Sequence, residues 1–312
     1  MPQKTVLITG CSDGGIGAAL AAEFQLRGLR VFATARDRSK MASLEALGIE
    51  TLALDVTSEE SIEQAVAEVQ KRLNNDESST WSITEPPIGL DFLINNAGVN
   101  HIMPFSDAKL SDLRLVIDTN IMGVLAVTQA FIPLLMRDKA VNTTNVTGPT
   151  GNSTVAMLGS VNEVFSPPYQ AAYNASKAAV HALAKTLRVE LAPLGINCVT
   201  LMTGSVRSKL FDNAPSQVPE TSFYSAVADK IEGRDFLKNA QWVDTDEFAK
   251  QVVSDLLRPK PRLDIWRGGL ARVASWLAWL GWEGMLDSAM LKANNLNEIQ
   301  PYAHKARTER ST

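Results

Sequence analysis

Short apolar runs alternate along this chain with longer segments in which apolar and polar positions are mixed. The first run, from Lys4 to Thr9, is continuous enough to be a strand that is buried on both faces. A glycine-rich turn from Gly10 to Gly17 follows it. The alanine-rich stretch from Ala18 to Leu26 is then a strong helix former. The chain therefore opens with a strand, a turn and a helix in succession.

The same alternation continues as far as residue 201. Strands are predicted at Arg30 to Ala35, Thr51 to Leu54, Leu90 to Ile94, Val155 to Leu158 with Ser160 at the end, and Ile196 to Leu201. One predicted helix opens at the capping residue Ser58, a long apolar helix runs from Leu113 to Met136, and another ends near Pro193. Strands that alternate with helices predict right-handed crossovers and a parallel sheet.

Two polar, turn-rich segments interrupt this pattern, residues 74–89 before the fourth strand and residues 138–152 before the fifth. Both connect a helix back to the beginning of a strand, so we expect them at the edge of the sheet opposite the ligand. The chain has 312 residues. We predict one catalytic domain at residues 1–265, followed by a C-terminal helical extension at residues 266–312. Two small domains are the less favoured alternative.

The extension is rich in tryptophan. Trp266, Trp276, Trp279 and Trp282 are four of the six tryptophans in the chain, and the stretch from Val273 to Trp282 carries no charge. As a helix this stretch would be about 15 Å long, too short to span a bilayer. One interpretation is peripheral contact with a membrane through residues 266–286, where tryptophan is favoured. The other is packing on the domain as a substrate lid, or as a subunit contact in a homodimer.

Composition narrows the class of function. A formal net charge of −4 and a pI near 5.5 argue against nucleic-acid binding, so we expect a small-molecule ligand. The only cysteines, Cys11 and Cys198, are far apart and indicate a reducing compartment. His101, His181 and His304 are scattered, show no metal-ligand spacing, and are interpreted as solvated or hydrogen-bonded side chains. Without a signal peptide or a run of 18 uncharged apolar residues, a cytoplasmic protein is expected.

The glycine turn predicts a dinucleotide site. A strand, turn and helix at the start of an α/β pattern let backbone N–H groups and the positive end of the helix meet a pyrophosphate. Glycines stand where a Cβ would block that approach. The candidate cofactor-binding residues of the turn are Gly10, Ser12, Gly15, Ile16 and Gly17. An ordinary tight turn is the alternative, because a lone glycine motif is weak support for a site.

The end of the second strand indicates which dinucleotide is bound. An NAD site places a carboxylate there for the ribose, whereas a 2′-phosphate requires arginine. The sequence has Arg36, followed closely by Arg38 and Lys40, and this predicts NADP(H), although a solvated helix start tolerates the same charges. Asp55 is a candidate acceptor for the adenine amino group. Asn96 suits a close approach to the cofactor or, alternatively, ties neighbouring strands together.

A serine, a tyrosine and a lysine lie at spacings that suit proton transfer. Tyr173 and Lys177 are four residues apart, so on a helix they share a face with their Cβ atoms about 5–6 Å apart. The ammonium group is expected to lower the pKa of the phenol from its usual value near 10. Ser160 ends a predicted strand and could hold the oxygen that the tyrosine protonates. The Tyr-x-x-x-Lys pair alone also arises by chance.

Taken together and in order, the glycine turn, Asn95-Asn-Ala-Gly98, Asn120, Ser160 and Tyr173-x-x-x-Lys177 resemble the classical short-chain dehydrogenase/reductase family over residues 4 to 265. The resemblance implies an α/β fold, a doubly wound Rossmann sheet of about seven parallel strands with helices on both faces.

The resemblance also implies roles. Tyr173 would be the catalytic acid and base, Lys177 would lower its pKa and bind the nicotinamide ribose, Ser160 would orient the carbonyl, and Asn120 would complete the proton relay. Val206 and Ser208 belong to the segment Met202 to Ser208, which is expected to close over the nicotinamide as a loop.

One departure from the family pattern lies in the glycine turn, where four residues rather than three separate Gly10 and Gly15. The turn is therefore one residue longer than usual, and either Asp13 or Gly14 would bulge out.

The second half is similar to the fungal NADPH-dependent 1-acyldihydroxyacetone-phosphate reductases. The matching segments are Thr203-Gly-Ser-Val206, Pro219 to Tyr224, Glu232-Gly-Arg234 and Asp264 to Gly268. This likeness implies reduction of a ketone on a lipophilic substrate, and also the surface of the endoplasmic reticulum or a lipid droplet as the place of any membrane contact. The alternatives are a ketoreductase or alcohol dehydrogenase of fungal secondary metabolism and a non-catalytic NADP(H)-sensing protein.

The substrate pocket is expected between Lys209 and Ala240. Its aromatic residues Phe211, Phe223, Tyr224 and Phe236 suggest an apolar ligand.

Overall fold

The computed structural model describes residues 3–74, 89–136, 153–212, 214, 216–238 and 240–299. The predicted insertions at 74–89 and 138–152 lie outside the described residues, apart from Asn74 and Gly89 at the flanks of the first.

Nine strands are present in the described part of the chain. They are β1 (Thr5–Thr9), β2 (Arg30–Ala35), β3 (Glu50–Ala53), β4 (Phe92–Asn95), β5 (Ser153–Ser160), β6 (Ile196–Thr203), β7 (Val206–Arg207), β8 (Val243–Asp244) and β9 (Asp264–Arg267). Seven of them form one sheet in the order β3-β2-β1-β4-β5-β6-β9, and every pairing in it is parallel. Strands β7 and β8 form a separate two-stranded ribbon. The predicted parallel sheet of about seven strands is confirmed.

Eleven α-helices lie in the described ranges and connect these strands. They are α1 (Ile16–Leu26), α2 (Ala42–Ala46), α3 (Glu59–Asn74), α4 (Leu110–Ile117), α5 (Gly123–Leu135), α6 (Asn162–Phe165), α7 (Ala171–Glu190), α8 (Ala228–Glu232), α9 (Thr245–Leu256), α10 (Ala271–Leu280) and α11 (Asp287–Ala293). The predicted cap of α3 is present, because the Ser58 hydroxyl accepts a hydrogen bond from the N–H of Ser61 at 3.2 Å.

Helices cover both faces of the sheet, and β1 shows why the three central residues of such a strand are all apolar. Val6 and Ile8 join one buried cluster together with Phe24 of α1. Leu7 points to the other side and joins a second cluster with Phe131 of α5. All five side chains are fully buried. Alternate residues of a strand face opposite sides, so a strand covered on both faces needs an unbroken apolar run.

The long apolar helix predicted from Leu113 to Met136 begins earlier and is interrupted. Helices α4 and α5 flank a π-helical turn, Asp118–Met122, which contains the buried Asn120. The stretch 110–135 is the one described part of the chain that is long and apolar enough to cross a membrane. It contains no run of 18 consecutive uncharged apolar residues, the criterion applied to the sequence above, because polar and charged residues interrupt it. Its apolar side packs in the cluster that contains Leu93 and Val155, and burial against the sheet accounts for its composition.

Strand β6 is longer than predicted, because it pairs with β9 as far as Thr203 opposite Arg267. Part of the segment expected as a loop, Met202 to Ser208, is thus strand, and β7 follows within it. The sheet itself extends to Arg267, two residues beyond the predicted domain boundary at 265.

Helix α10 lies against the domain by one side only. Ala271 and Ala274 are buried in a small cluster with Val161, and Trp266 packs against it. Trp276, Trp279 and Trp282 are 62%, 75% and 70% exposed. The tryptophan-rich extension therefore has a packed base and an exposed aromatic face.

Candidate active site

The predicted site residues converge at one edge of the sheet, because all seven strands end there. Gly10 follows β1, Arg36 follows β2, Asp55 lies two residues after β3, Asn96 follows β4 and Ser160 ends β5. Helix α7 packs against β5 and β6 and brings Tyr173 and Lys177 to the same edge. This is the edge at which ligands bind in open α/β sheets.

The glycine turn has the geometry of a phosphate cradle. Gly10 and Gly14 adopt left-handed conformations, with φ of +73° and +76°. The N–H of Gly15 donates to the carbonyl of Ser12 at 3.0 Å, and α1 begins at Ile16. A Cβ on Gly17 would lie 2.5 Å from the carbonyl oxygen of Gly10. The first turn of α1 contains no acidic residue, so its positive end can meet an anion.

The extra residue of the turn is accommodated at Gly14, which takes the left-handed conformation. Asp13 is tied to the neighbouring segment instead. Its N–H donates to the carbonyl of Lys40 at 2.7 Å, and its carboxylate accepts a hydrogen bond from the hydroxyl of Ser43.

Asn96 connects two neighbouring strands, which was one of the two roles predicted for it. Its side-chain amide donates to the carbonyl of Thr9 at 2.7 Å and to that of Gly10 at 3.0 Å. The hydroxyl of Thr9 in turn accepts the N–H groups of Asn96 and Ala97, each at 3.0 Å. These bonds join the ends of β1 and β4 and fix the position of the glycine turn.

Arg36 and Arg38 are in different situations. The Nε of Arg38 donates to Glu45 Oε1 at 2.7 Å and to Thr51 Oγ1 at 2.8 Å. Arg36 is exposed at the end of β2, and no described side chain pairs with it. The intervening Asp37 is used locally, where its carboxylate accepts from the N–H of Ser39 at 3.0 Å. Arg36 is therefore the guanidinium that is free to bind a phosphate.

Asp55, Val206 and Ser208 complete the predicted cofactor residues. Asp55 Oδ1 accepts hydrogen bonds from the N–H of Thr57 at 3.0 Å and from its hydroxyl at 2.7 Å, which fixes the carboxylate at the end of β3. Val206 is buried in β7, and Ser208 lies after it beside the glycine turn. The three residues lie on the cofactor edge of the sheet.

The serine and the tyrosine are brought together. Tyr173, near the start of α7, has its hydroxyl close enough to Ser160 for the serine side chain to influence its pKa, and both side chains are buried. Ser160 Oγ also accepts the N–H of Asn162 at 3.1 Å. The end of β5 and the first turn of α7 thus place two hydroxyl groups where a carbonyl oxygen could be held by one and protonated by the other.

Lys177 and Asn120 lie next to this pair. The Nζ of Lys177 donates to the carbonyl of Leu158 at 2.7 Å and lies 5.5 Å from the centroid of the Tyr173 ring. The amide of Asn120 donates to the carbonyl of Val99 at 2.9 Å and to Ser176 Oγ at 3.0 Å, and its oxygen accepts the N–H of Val99 at 2.8 Å. The structure therefore brings all four predicted catalytic residues into one region.

Gly98 keeps this region open. A Cβ there would lie 3.2 Å from Asn120 Oδ1 and 3.8 Å from Lys177 Nζ. Space for the ribose end of a dinucleotide is thus preserved between the fourth strand and α7.

The pKa values differ in direction from the expectation for the tyrosine. Burial raises the pKa of Tyr173 to about 12, and the nearby Ser160 hydroxyl only partly opposes that effect. Burial lowers the pKa of Lys177 to about 8. The expectation that Lys177 lowers the pKa of Tyr173 overlooked the burial of both groups. At neutral pH Tyr173 is consequently a protonated phenol, which suits a proton donor.

A cavity of about 540 Å³ lies beside the glycine turn, lined by Gly14, Arg207, Ser208, Lys209, Phe211, Asp212, Arg234, Leu237 and Trp242. Of the four aromatic residues expected to form the substrate pocket, Phe211 lines this cavity. Phe223 is exposed, and Tyr224 packs edge to face on Tyr169 at 6.0 Å. The side chain of Phe236 lies outside the described residues.

Three features near the site were missed from the sequence. Ser176 links Asn120 to the carbonyl of Tyr173, to which its hydroxyl donates at 2.7 Å. A Cβ on Gly14 would lie 3.0 Å from Cε of Lys209. His181 is paired with two carboxylates. The position of Ser176 three residues after Tyr173, on the same helix face, was the one available signal.

The residues at this edge fit an NADP-type dinucleotide. The glycine turn and the end of α1 suit its diphosphate, Arg36 suits its 2′-phosphate, and Lys177 suits the nicotinamide ribose. Within the described residues, no group of three or more His, Cys, Asp or Glu side chains is arranged to hold a metal ion.

Comparisons with known proteins point to the same family of dehydrogenases. A family model of the short chain dehydrogenases matches residues 4–219. The chain is 37% identical over 306 residues to a short-chain dehydrogenase/reductase of Pestalotiopsis microspora, and the alignment covers 96% of each protein. It is 33% identical over 294 residues to the NADPH-dependent 1-acyldihydroxyacetone phosphate reductase of Schizosaccharomyces pombe, covering 92% of this chain and 90% of that one.

A solved structure of a short-chain dehydrogenase from Streptomyces avermitilis superposes with a TM-score of 0.70 at 25% identity. The superposition covers 96% of this chain and 98% of that one.

Proposed function

This chain belongs to the short-chain dehydrogenase family and is an oxidoreductase, and from that premise we propose that it reduces a ketone on a lipophilic substrate with NADPH. The observation that carries the proposal is the convergence of Ser160, Tyr173 and Lys177 at the end of β5, beside a glycine turn that suits a diphosphate.

The chain's own residues supply binding and proton transfer. When bound, NADPH supplies the hydride, which goes to the carbonyl carbon. The hydroxyl of Ser160 holds the carbonyl oxygen, and Tyr173 gives that oxygen its phenolic proton as the negative charge develops. The pKa of Tyr173, about 12, keeps the proton available at neutral pH.

Lys177 and Asn120 assist proton transfer by Tyr173. Below its pKa of about 8, Lys177 is an ammonium that stabilises the phenolate left after proton transfer. Asn120, held between Val99 and Ser176, continues the polar path through which the tyrosine regains its proton. The same residues would serve alcohol oxidation, in which the phenolate of Tyr173 would take up the proton of the alcohol.

NADP(H) is proposed over NAD(H) because of Arg36. It is exposed at the end of β2, where the ribose 2′-position lies in this class of site, and Arg38 is already bonded to Glu45 and Thr51. The name of the S. pombe relative also specifies NADPH.

A lipophilic substrate is supported by two observations. Phe211 and Trp242 meet edge to face at 6.1 Å in the wall of the cavity, and the S. pombe relative is named for an acylated ketone. Phe211 also packs against the apolar cluster that contains Ile102, Tyr169 and Ile231. A ketone or alcohol of secondary metabolism is the alternative substrate.

A panel of ketones tests this proposal, with NADPH oxidation followed at 340 nm (about 1 µM enzyme as a starting point). The panel pairs acyl-dihydroxyacetone phosphates of increasing chain length with aromatic and polyketide-like ketones, and each is also offered as the alcohol with NADP⁺. We expect kcat/KM to rise with apolar chain length, by about tenfold for each pair of buried methylenes. No turnover of any member in either direction would contradict the assignment.

We further propose that the enzyme is cytoplasmic and that it contacts a lipid surface, such as that of the endoplasmic reticulum or a lipid droplet, through residues 266–286. Trp276 and Trp279 lie edge to face at 6.2 Å on the exposed side of α10, with Trp282 beyond them. Indole rings favour the membrane interface. The thiols of Cys11 and Cys198, both buried and free, are compatible with a reducing compartment.

Co-sedimentation with phosphatidylcholine vesicles tests this contact. The triple variant Trp276→Ser, Trp279→Ser, Trp282→Ser should stay in the supernatant while the natural protein sediments. Phe105→Ser, at an aromatic residue that is 71% exposed elsewhere, is the matched control and should sediment. If the natural protein does not sediment but forms a dimer that the triple variant cannot form, the patch is a subunit contact instead.

A further inference from the structure

A buried histidine lies behind the catalytic pair. His181 is in α7, four residues after Lys177 and eight after Tyr173, so the three side chains share one face of the helix. It is 9% exposed. None of the steps proposed above uses it.

His181 contacts two carboxylates from different parts of the fold. Its Nδ1 is hydrogen-bonded to Glu163 Oε1 at 2.7 Å. Its Nε2 lies 3.2 Å from Asp264 Oδ1, close enough for an ion pair but not in hydrogen-bonding geometry. Glu163 is in α6, three residues after Ser160, and Asp264 is the first residue of β9. Lys185, one turn farther along α7, adds its positive charge near Asp264, which also bonds to Thr200. The imidazole therefore joins three elements.

The two ion pairs favour a doubly protonated ring. A neutral imidazole has one N–H and can donate to only one of the two carboxylates. The other oxygen of Glu163 is buried without a described partner, so His181 is the group that compensates this charge. The two neighbouring carboxylates, Asp264 and Glu163, raise the pKa of His181 to about 9.

Glu163 connects His181 to the segment that follows Ser160. Helix α6 begins two residues after Ser160, and its first N–H, that of Asn162, is donated to Ser160 Oγ at 3.1 Å. The amide of Asn162 also donates to Asn174 Oδ1 at 3.0 Å. The short helix is thus held against α7 at two places, near Tyr173 by Asn174 and deeper by His181.

We propose that His181 is a positioning residue which, through Glu163, holds the segment after Ser160 at the correct distance from Tyr173. The idea rests on the proposed reduction, in which Ser160 and Tyr173 act on one carbonyl oxygen. A displacement of about 1 Å between such groups can cost about a hundredfold in rate.

Two neutral substitutions separate the two contacts. The amide of His181→Asn replaces Nδ1 and can still donate to Glu163, whereas the amide of His181→Gln replaces Nε2 and can donate only to Asp264. We expect His181→Gln to lower kcat at pH 7 by tenfold or more and His181→Asn to lower it by less than about threefold. The Kd for NADPH, measured by fluorescence, should change less than twofold in both, since the cofactor cleft is untouched.

Glu163→Ala provides a second route if His181→Gln does not fold. It should lower kcat as His181→Gln does, and the double variant should be no worse than either single one, because one contact is removed in all three. Asp264→Asn should leave kcat nearly unchanged. Equal losses in His181→Asn and His181→Gln, or no loss in either, would overturn the proposal.

Hydrogen exchange gives a readout that does not need turnover. Peptides covering residues 159–166 should exchange faster in His181→Gln than in His181→Asn, while peptides from α1 should not differ. If the natural protein reduces no ketone, the proposed function fails, and this comparison still decides whether His181 holds the Ser160 segment. Equal exchange in the two variants would show that the contact between His181 and Glu163 does not hold the segment after Ser160.

Discussion

Removing the side chain of Arg36 should reduce the preference of the enzyme for NADPH over NADH. A hydrogen bond between a guanidinium and a phosphate contributes about 1.5–3 kcal/mol, and each 1.4 kcal/mol is a tenfold change in affinity. Arg36 is exposed at the end of β2, so solvent screening favours the lower end of this range. For Arg36→Ala we therefore expect the NADPH to NADH ratio of kcat/KM to fall by about tenfold.

The ratio is the useful quantity, because changes in folding or in the active fraction affect both cofactors equally. Arg38→Ala is the matched control, since its guanidinium is bonded to Glu45 and Thr51 within the protein. It should change the ratio less than twofold. In the variant Arg36→Asp, the new carboxylate lies at the exposed end of β2, repels the 2′-phosphate and can accept the ribose hydroxyls, and the ratio should fall further. An unchanged ratio in Arg36→Ala, or a larger effect in Arg38→Ala, would refute the reasoning about this strand.

Three further predictions concern single residues. Lys177→Ala should raise the Kd for NADPH and lower kcat together, as measured by fluorescence and by turnover, because one ammonium serves both the ribose and the phenolate. Gly17→Ala should destabilise the protein by about 1–3 kcal/mol in urea unfolding and weaken NADPH binding, because a Cβ would meet Asn96 Nδ2 at 2.5 Å. The pKa of His181 is raised from 6.5 to about 9, so its stabilising effect is full below pH 6.5 and is lost as the pH rises through 9. The free energy of unfolding of the natural protein should fall relative to His181→Asn by on the order of 2–3 kcal/mol between pH 6 and 9.5.

Much of the fold was predictable because the sheet is buried on both faces. A strand covered on both sides is apolar at most of its positions, and β2 was therefore predicted with its observed ends, Arg30 and Ala35. Because every strand of the sheet is parallel, a residue that follows a strand is automatically at the cofactor edge. Gly10, Arg36, Asp55, Asn96 and Ser160 could be placed there without knowledge of any contact.

Features that depend on contacts distant in sequence could not be predicted. Thr203 belongs to β6 because Ser160 of β5 and Arg267 of β9, each more than forty residues away in the chain, pair with it. The link from His181 to Glu163 and Asp264 joins three elements whose spacing in the chain has no pattern. The pKa of Tyr173 was expected in the wrong direction because the sequence shows the neighbouring lysine but not the burial of the phenol. The π-helical turn that holds Asn120 also has no periodic signal.

The most direct test of the account is a comparison of the natural protein with Tyr173→Phe, using the best ketone from the panel. The substitution removes one hydroxyl, and with it the transferable proton, from a buried ring that otherwise keeps its packing. General acid catalysis by a positioned side chain contributes about 10²–10⁴-fold, so kcat should fall by at least a hundredfold. The Kd for NADPH should stay within about twofold of the natural value. A variant that binds NADPH normally and keeps more than about a hundredth of the activity would show that Tyr173 is not the proton donor.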